Sequence, residues 1–219
     1  MPRTAHESLL LELFTAAWPE TRAPRRRGPE WRELGFQGDD PSTDFRATGP
    51  LGLRALLHIA RTRREFFADA VAAPRAYGFA VLVVNLTHTV AVALDLLPRS
   101  AWAAPRVAPE PRNDACAAFR LLFCGSETAF EDVVAACAER CDNVWTSVVA
   151  TTSASETPPL LTFQTLMHDV LVECQKALVA CARFNSMPTT ADLRRALVER
   201  PSLWRYCRRG VAPARAAPL

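Results

Sequence analysis

Residues 31–57 read WRELGFQGDDPSTDFRATGPLGLRALL, and the reading of this run decides the fold. Gly35, Gly38 and Gly49 open backbone conformations that other residues resist, and Pro41 sets φ for a turn behind Asp40. Aromatic and charged residues recur at gaps that fit neither the period of a helix nor that of a strand. The run therefore predicts a shaped loop over 31–49 that feeds a helix. That helix opens at Gly49–Pro50, because proline at the first helical position gives up only an N–H that would have no partner there. Leu53, Leu56, Leu57 and Ala60 then share one face, with Arg54 and Arg61 opposite. Shaped loops held on rigid scaffolds are where binding and chemistry concentrate.

Outward from this run, helical periodicity dominates. Upstream, Leu9, Leu10, Leu13, Phe14 and Ala17 predict an amphipathic helix over 6–18, stopped by Pro19. A polar linker with Arg22 and the run Arg25, Arg26 and Arg27 separates it from Trp31. Downstream, a helix or helix pair continues through Phe66, Phe67, Ala70 and Val71 to Pro74. A nearly all-apolar segment from Tyr77 to Leu97 follows, closed by Pro98. Its length approaches a bilayer span, but Asn85, Thr87, His88 and Thr89 sit at its centre and Asp95 near its end. The pattern predicts a helix buried in the middle of a bundle. A proline-rich loop over 98–111 follows, with Trp102 tucked back onto the core.

Further helices are expected at 113–123, 127–149 and 160–184, with a Ser/Thr-rich loop at 151–159. A short helix begins after Thr189 or Thr190, with Asp192 in its first turn. Leu203, Trp204 and Tyr206 are expected to dock beyond Pro201. No sustained two-residue alternation occurs, and no fixed repeat. The fold class is all-α: a single compact helical bundle over 6–207, with a flexible, disordered tail at 208–219.

Composition narrows the function classes. The 219 residues are 49% hydrophobic and 22% charged, which suits a globular chain with a real core. A net charge of +3 argues for no nucleic-acid partner. Seven cysteines, an odd number without a CxxC pair or signal peptide, read as reduced thiols of a cytoplasmic protein. Cys137 and Cys141 lie one helical turn apart, as metal ligands could, but they equally suit a core, so no metal site is assigned. No P-loop, GxGxxG or G-x-S-x-G pattern is present, so the chain itself is expected to hold no nucleotide.

The loop carries a family likeness. Trp31, Gly35, Phe36 and Gln37, then Pro41, Thr43, Asp44, Phe45 and Arg46, then Gly49, Leu53 and Leu56 resemble the hallmark of the ELMO (engulfment and cell motility) domain. The closer resemblance is to its ELMOD subgroup. Ala47 departs, where the family usually has glycine. SLLLELFTAAWP (8–19) resembles the family's leading helix, and YGFAVLVVNLTHTV (77–90) its YPFA segment, with Gly78 in place of proline. The resemblance covers most of 6–200.

The resemblance implies a GTPase-activating protein for Arf or Arf-like small GTPases, with Arg46 as its arginine finger. GTP and Mg²⁺ would belong to the partner, and the chain would need no cofactor of its own. The other ELMO branch, which partners DOCK exchange factors, generally lacks that arginine. Gln37, Asp40, Thr43 and Asp44 are expected on the partner-binding side, with Thr43 and Asp44 capping a turn or the following helix. Trp31, Gly35, Phe36, Pro41, Phe45 and Gly49 are expected to shape the loop.

Two readings of Arg46 stay open at this point. It inserts into a GTPase, or it pairs with Asp39, Asp40 or Asp44 and ties the loop shut in a non-catalytic interaction module. Ala47 bears on the choice: a left-handed backbone there would strain alanine and displace Arg46. Arg25, Arg26 and Arg27 read as a solvated loop or as a peripheral contact with acidic membrane.

Overall fold

The N-terminal apolar stripe folds as α1 (Ala5–Ala17), burying Leu10, Leu13 and Phe14. A single turn, α2 (Glu30–Glu33), forms around Trp31, and a 3-10 turn runs from Pro41 to Arg46. Proline then starts α3 (Pro50–Thr62), which buries Leu53, Leu56, Leu57 and Ala60 and leaves Arg54 and Arg61 exposed. The following elements are α4 (Arg64–Ala72), α5 (Phe79–Ala93), α6 (Asn113–Gly125), α7 (Ala129–Thr151), α8 (Leu160–Phe184) and α9 (Thr190–Leu197).

This computed structural model describes residues 5–20, 25–72, 77–98, 108–151, 160–185 and 187–199, and among them no strand occurs. The expected positions of Trp102, Leu203, Trp204 and Tyr206, most of the 98–111 and 151–159 loops, and the 208–219 tail lie outside the described residues.

Three helices form the centre. α3, α5 and α7 pack on one another; α1 lies on α3, α8 and α9 cover α7, and α6 lies on α8. Helix α5 explains its own composition, since every residue but Val81 and Asn85 is buried. Thr87 and Thr89 satisfy their hydroxyls on the carbonyls of Val83 and Asn85, one turn back. Among the described residues no helix is long and apolar enough to cross a membrane.

The central helix is shorter than its apolar run. It ends at Ala93 because Asp95 turns left-handed (φ 58°), and the N–H groups of Leu96 and Asp95 return to the carbonyls of Ala91 and Val92. That pairing is the Schellman arrangement, with aspartate where glycine is commoner. At the other end of the chain, Thr189 and Asp192 form a reciprocal capping box that fixes the start of α9.

Helix α7 differs most from its apolar pattern. Its residues from Ala129 to Asp142 are all buried, including Glu131, Asp132, Glu139, Arg140 and Asp142. Each has a partner outside α7. Glu131 faces Arg54 (3.5 Å), Asp132 meets His58 (2.9 Å), and Arg140 reaches Glu173 (3.1 Å). Glu139 lies between Arg63 (2.7 Å) and Arg194 (2.8 Å), and Tyr77 donates its hydroxyl to Asp142. Buried charges persist only when so paired, and these pairs bind α7 to α3, α8 and α9.

Candidate functional site

The 31–49 loop is anchored first by rings. Trp31, Phe36 and Phe45 are almost fully buried. Their rings form an edge-to-face chain: Phe14 to Trp31 (5.4 Å), Trp31 to Phe36 (5.5 Å), and Phe36 to Phe45 (5.7 Å). His6 of α1 closes the chain against Phe45 at 5.7 Å. The Trp31 indole N–H donates to the Arg25 carbonyl (3.2 Å).

The second anchor is backbone against backbone. Gly35 adopts φ +90°, and a Cβ there would lie 2.2 Å from the Phe79 nitrogen. In return, the Leu34 and Gly35 carbonyls accept the N–H groups of Ala80 (3.0 Å) and Val81 (3.2 Å) in the first turn of α5. Gly78, at φ −71°, has a backbone shape that proline also takes, but a Cβ there would meet the Gly35 oxygen at 2.4 Å. Glycine at both positions is what permits this approach.

The three aspartates each have a different task. Asp39 pairs with Arg32 (2.8 Å). Asp40 caps the 3-10 turn, accepting from the Ser42 hydroxyl (2.6 Å) and N–H (3.2 Å) and pairing with Arg27 (2.7 Å). The Ser42 hydroxyl chiefly, helped by the Ser42 N–H and Arg27, holds the Asp40 carboxyl below its ordinary range despite partial burial. Asp44 reaches back along the loop, where its Oδ2 accepts the Gln37 N–H at 2.8 Å. Thr43 donates its hydroxyl to the Asp40 carbonyl (2.9 Å) and also lies near Asp44 Oδ1 (3.4 Å).

These bonds replace the capping role expected for Thr43 and Asp44. Asp40 caps the turn instead, and Gly49 precedes α3 without a side-chain cap. Asp44 sits seven residues from its partner, and nothing in the residue order announces that bond.

Arg46 ends the 3-10 turn and is exposed. Among the described residues no carboxylate pairs with it, since all three aspartates of the loop are engaged elsewhere. Ala47 follows at φ −85°, ψ −27°, an ordinary right-handed conformation. The positive-φ residue nearest Arg46 is Gly49 (φ 53°), where a Cβ would meet open space. Thr43 is exposed within Arg46's turn and Gln37 is exposed where its N–H meets that turn, while Asp40 and Asp44 are half-buried. Of the arginine run, Arg26 pairs with Glu7 (3.6 Å) and Arg27 with Asp40, so the run is partly built into the loop.

A second polar region lies at the other end of α3. A cleft of about 890 Å³ between the α3–α4 elbow, α7 and α9 is lined by Arg61, Arg63, Arg64, Asp132, Glu139 and Arg194, among others. Its buried carboxylates are matched by arginine and His58. No group of His, Cys, Asp and Glu able to hold a metal ion occurs among the described residues.

Comparison with known proteins gives a consistent answer. Human ELMO domain-containing protein 2 is 35% identical over 87 residues, covering 38% of this chain and 30% of the relative. Mouse ELMO domain-containing protein 1 is 49% identical over 55 residues, 25% of this chain and 17% of the relative. ELMO domain-containing protein C of Dictyostelium discoideum is 34% identical over 85 residues, 39% of this chain and 14% of the relative. The chain thus aligns with less than a third of the length of each of these relatives. No solved structure matches it. The ELMO/CED-12 family model matches residues 2–158, well over half of the sequence and the whole of the anchored loop, and the chain belongs to that family.

Proposed function

We propose that this protein is a GTPase-activating protein for Arf or Arf-like small GTPases and that Arg46 is its arginine finger. The observation that carries the reading is the freedom of one guanidinium in a loop holding three nearby carboxylates. Asp39, Asp40 and Asp44 are tied to Arg32, Arg27 and the Gln37 N–H, leaving Arg46 exposed. A planar, permanently charged fork matches the charge that spreads over the transferring phosphoryl oxygens during GTP hydrolysis. The partner holds GTP and Mg²⁺; this chain supplies the guanidinium and a rigid platform behind it. Fingers of this kind accelerate hydrolysis by roughly 10³–10⁵.

The membrane contact considered for Arg25–Arg27 is not required by this reading. Two of those arginines already serve carboxylates of α1 and the loop.

The test is hydrolysis of GTP by a panel of Arf and Arf-like GTPases with catalytic amounts of the wild type, Arg46→Lys and Arg46→Ala. Acceleration by the wild type that drops by about 10³-fold or more in both variants is expected, with retained binding. Binding without acceleration by the wild type would instead make the protein a non-catalytic interaction module.

A further inference from the structure

We propose that Asp44 is a positioning residue, which presents the Gln37 side chain beside Arg46 by holding the Gln37 backbone. The inference rests on the GTPase-activating reading above and deepens it. Gln37 and Arg46 occupy equivalent places in the loop, each being the residue directly after a buried ring, Phe36 and Phe45. Those rings pack edge to face at 5.7 Å, so both exposed side chains leave one platform. The rings fix where the two backbone segments cross. They do not by themselves set the direction in which residue 37 departs, since Gly38 follows it with no side chain to pack.

The 2.8 Å bond from the Gln37 N–H to Asp44 Oδ2 restrains residue 37 itself, while the Gly28 N–H holds the Asp39 carbonyl two residues on (3.0 Å). It bridges the ring platform from its Gln37 edge to the residue two before Arg46. The other carboxylate oxygen lies 3.4 Å from the Thr43 hydroxyl, so Asp44 is spent inside the loop. This also suits the chemistry. A carboxylate paired with a guanidinium meant for phosphates would compete for it, and Asp44 directs Oδ2 to a backbone N–H rather than to Arg46. The exposed Gln37 amide can then donate to an oxygen of the partner's nucleotide site or orient its attacking water.

The experiment treats the GTP-loaded GTPase as substrate and measures kcat and KM for the wild type, Asp44→Ala, Asp44→Asn, Gln37→Ala and the Asp44→Ala/Gln37→Ala double variant. Asp44→Ala is expected to lower kcat about tenfold to a hundredfold, the scale of a misplaced group, with KM nearly unchanged. Asn keeps an acceptor oxygen and should restore kcat to within about threefold. In the double variant the two losses should fail to multiply, because Asp44 acts through Gln37. Hydrogen exchange at the Gln37 amide should quicken in Asp44→Ala and not in Asp44→Asn, which reads the bond itself if Ala proves poorly folded.

A raised KM with intact kcat would make Asp44 a direct partner contact and overturn the proposal. So would losses that multiply fully, or an Asp44→Ala protein as active as the wild type. Absence of acceleration by the wild type on every GTPase would instead remove the functional reading and this inference with it.

Discussion

Ala47 has the methyl group that the family's usual glycine lacks, one residue after the proposed finger. Because its backbone is right-handed (φ −85°), that methyl adds no strain. Replacing it by glycine chiefly enlarges the freedom of the unfolded chain. Ala47→Gly is therefore expected to leave GTPase acceleration unchanged and to lower stability by at most about 1 kcal/mol, read from urea unfolding. A large gain in rate would show that the methyl group obstructs the partner, a steric effect unrelated to backbone strain. At this scale the rings were legible in the sequence: three aromatics in an irregular, glycine-rich run have to be buried to hold it. The partners of the aspartates were not. A bond between residues 37 and 44 depends on the turn between them, and periodicity carries no information about a turn of that shape.

Between elements, the loop and α5 meet through two glycines. The cost of a side chain differs between the two positive-φ positions of the loop. At Gly35 it meets both a φ of +90° and the Phe79 nitrogen at 2.2 Å; at Gly49 it meets only the strain of φ 53°. Gly35→Ala is expected to cost about 3 kcal/mol or more, Gly49→Ala about 1–3 kcal/mol, by chemical denaturation. Similar costs at both positions would mean that the contact with α5 yields easily. The helices themselves were readable from spacing and from proline. The four-residue shortfall at the end of α5 was not, because it comes from a left-handed Asp95, a residue type with only a modest liking for that conformation.

At the scale of the molecule, the buried charges of α7 do what apolar packing alone would not: they fix which face of α7 meets which neighbour. Asp132 is the case with a pH signature. Burial pushes its carboxyl up, but His58, Thr128 and Arg63 outweigh that and leave it below the ordinary value of 3.8. A lowered carboxylate stabilises the fold fully above its unfolded value, and that stability disappears as pH falls through the folded value. Asp132→Asn should therefore be less stable than the wild type by about 1–3 kcal/mol at neutral pH, a gap that closes below about pH 4. Urea midpoints across pH measure it, and a gap independent of pH would assign the loss to packing. The charged positions of α7 were visible in the sequence, but their burial was not, since a solvated face would show the same spacing.

The join between loop and α5 also settles where positive charge can come from. A helix start ordinarily offers its free amides and the positive end of its dipole to phosphate. Here Ala80 and Val81 give theirs to the Leu34 and Gly35 carbonyls. At the adjoining start of α3, Pro50 has no N–H, and Leu51 donates to Thr48. At both helix starts bordering the loop, these amides are thus taken by carbonyls of the chain itself. An anion approaching this face would therefore meet exposed side chains such as Arg46, and a side chain, unlike a helix end, can swing aside.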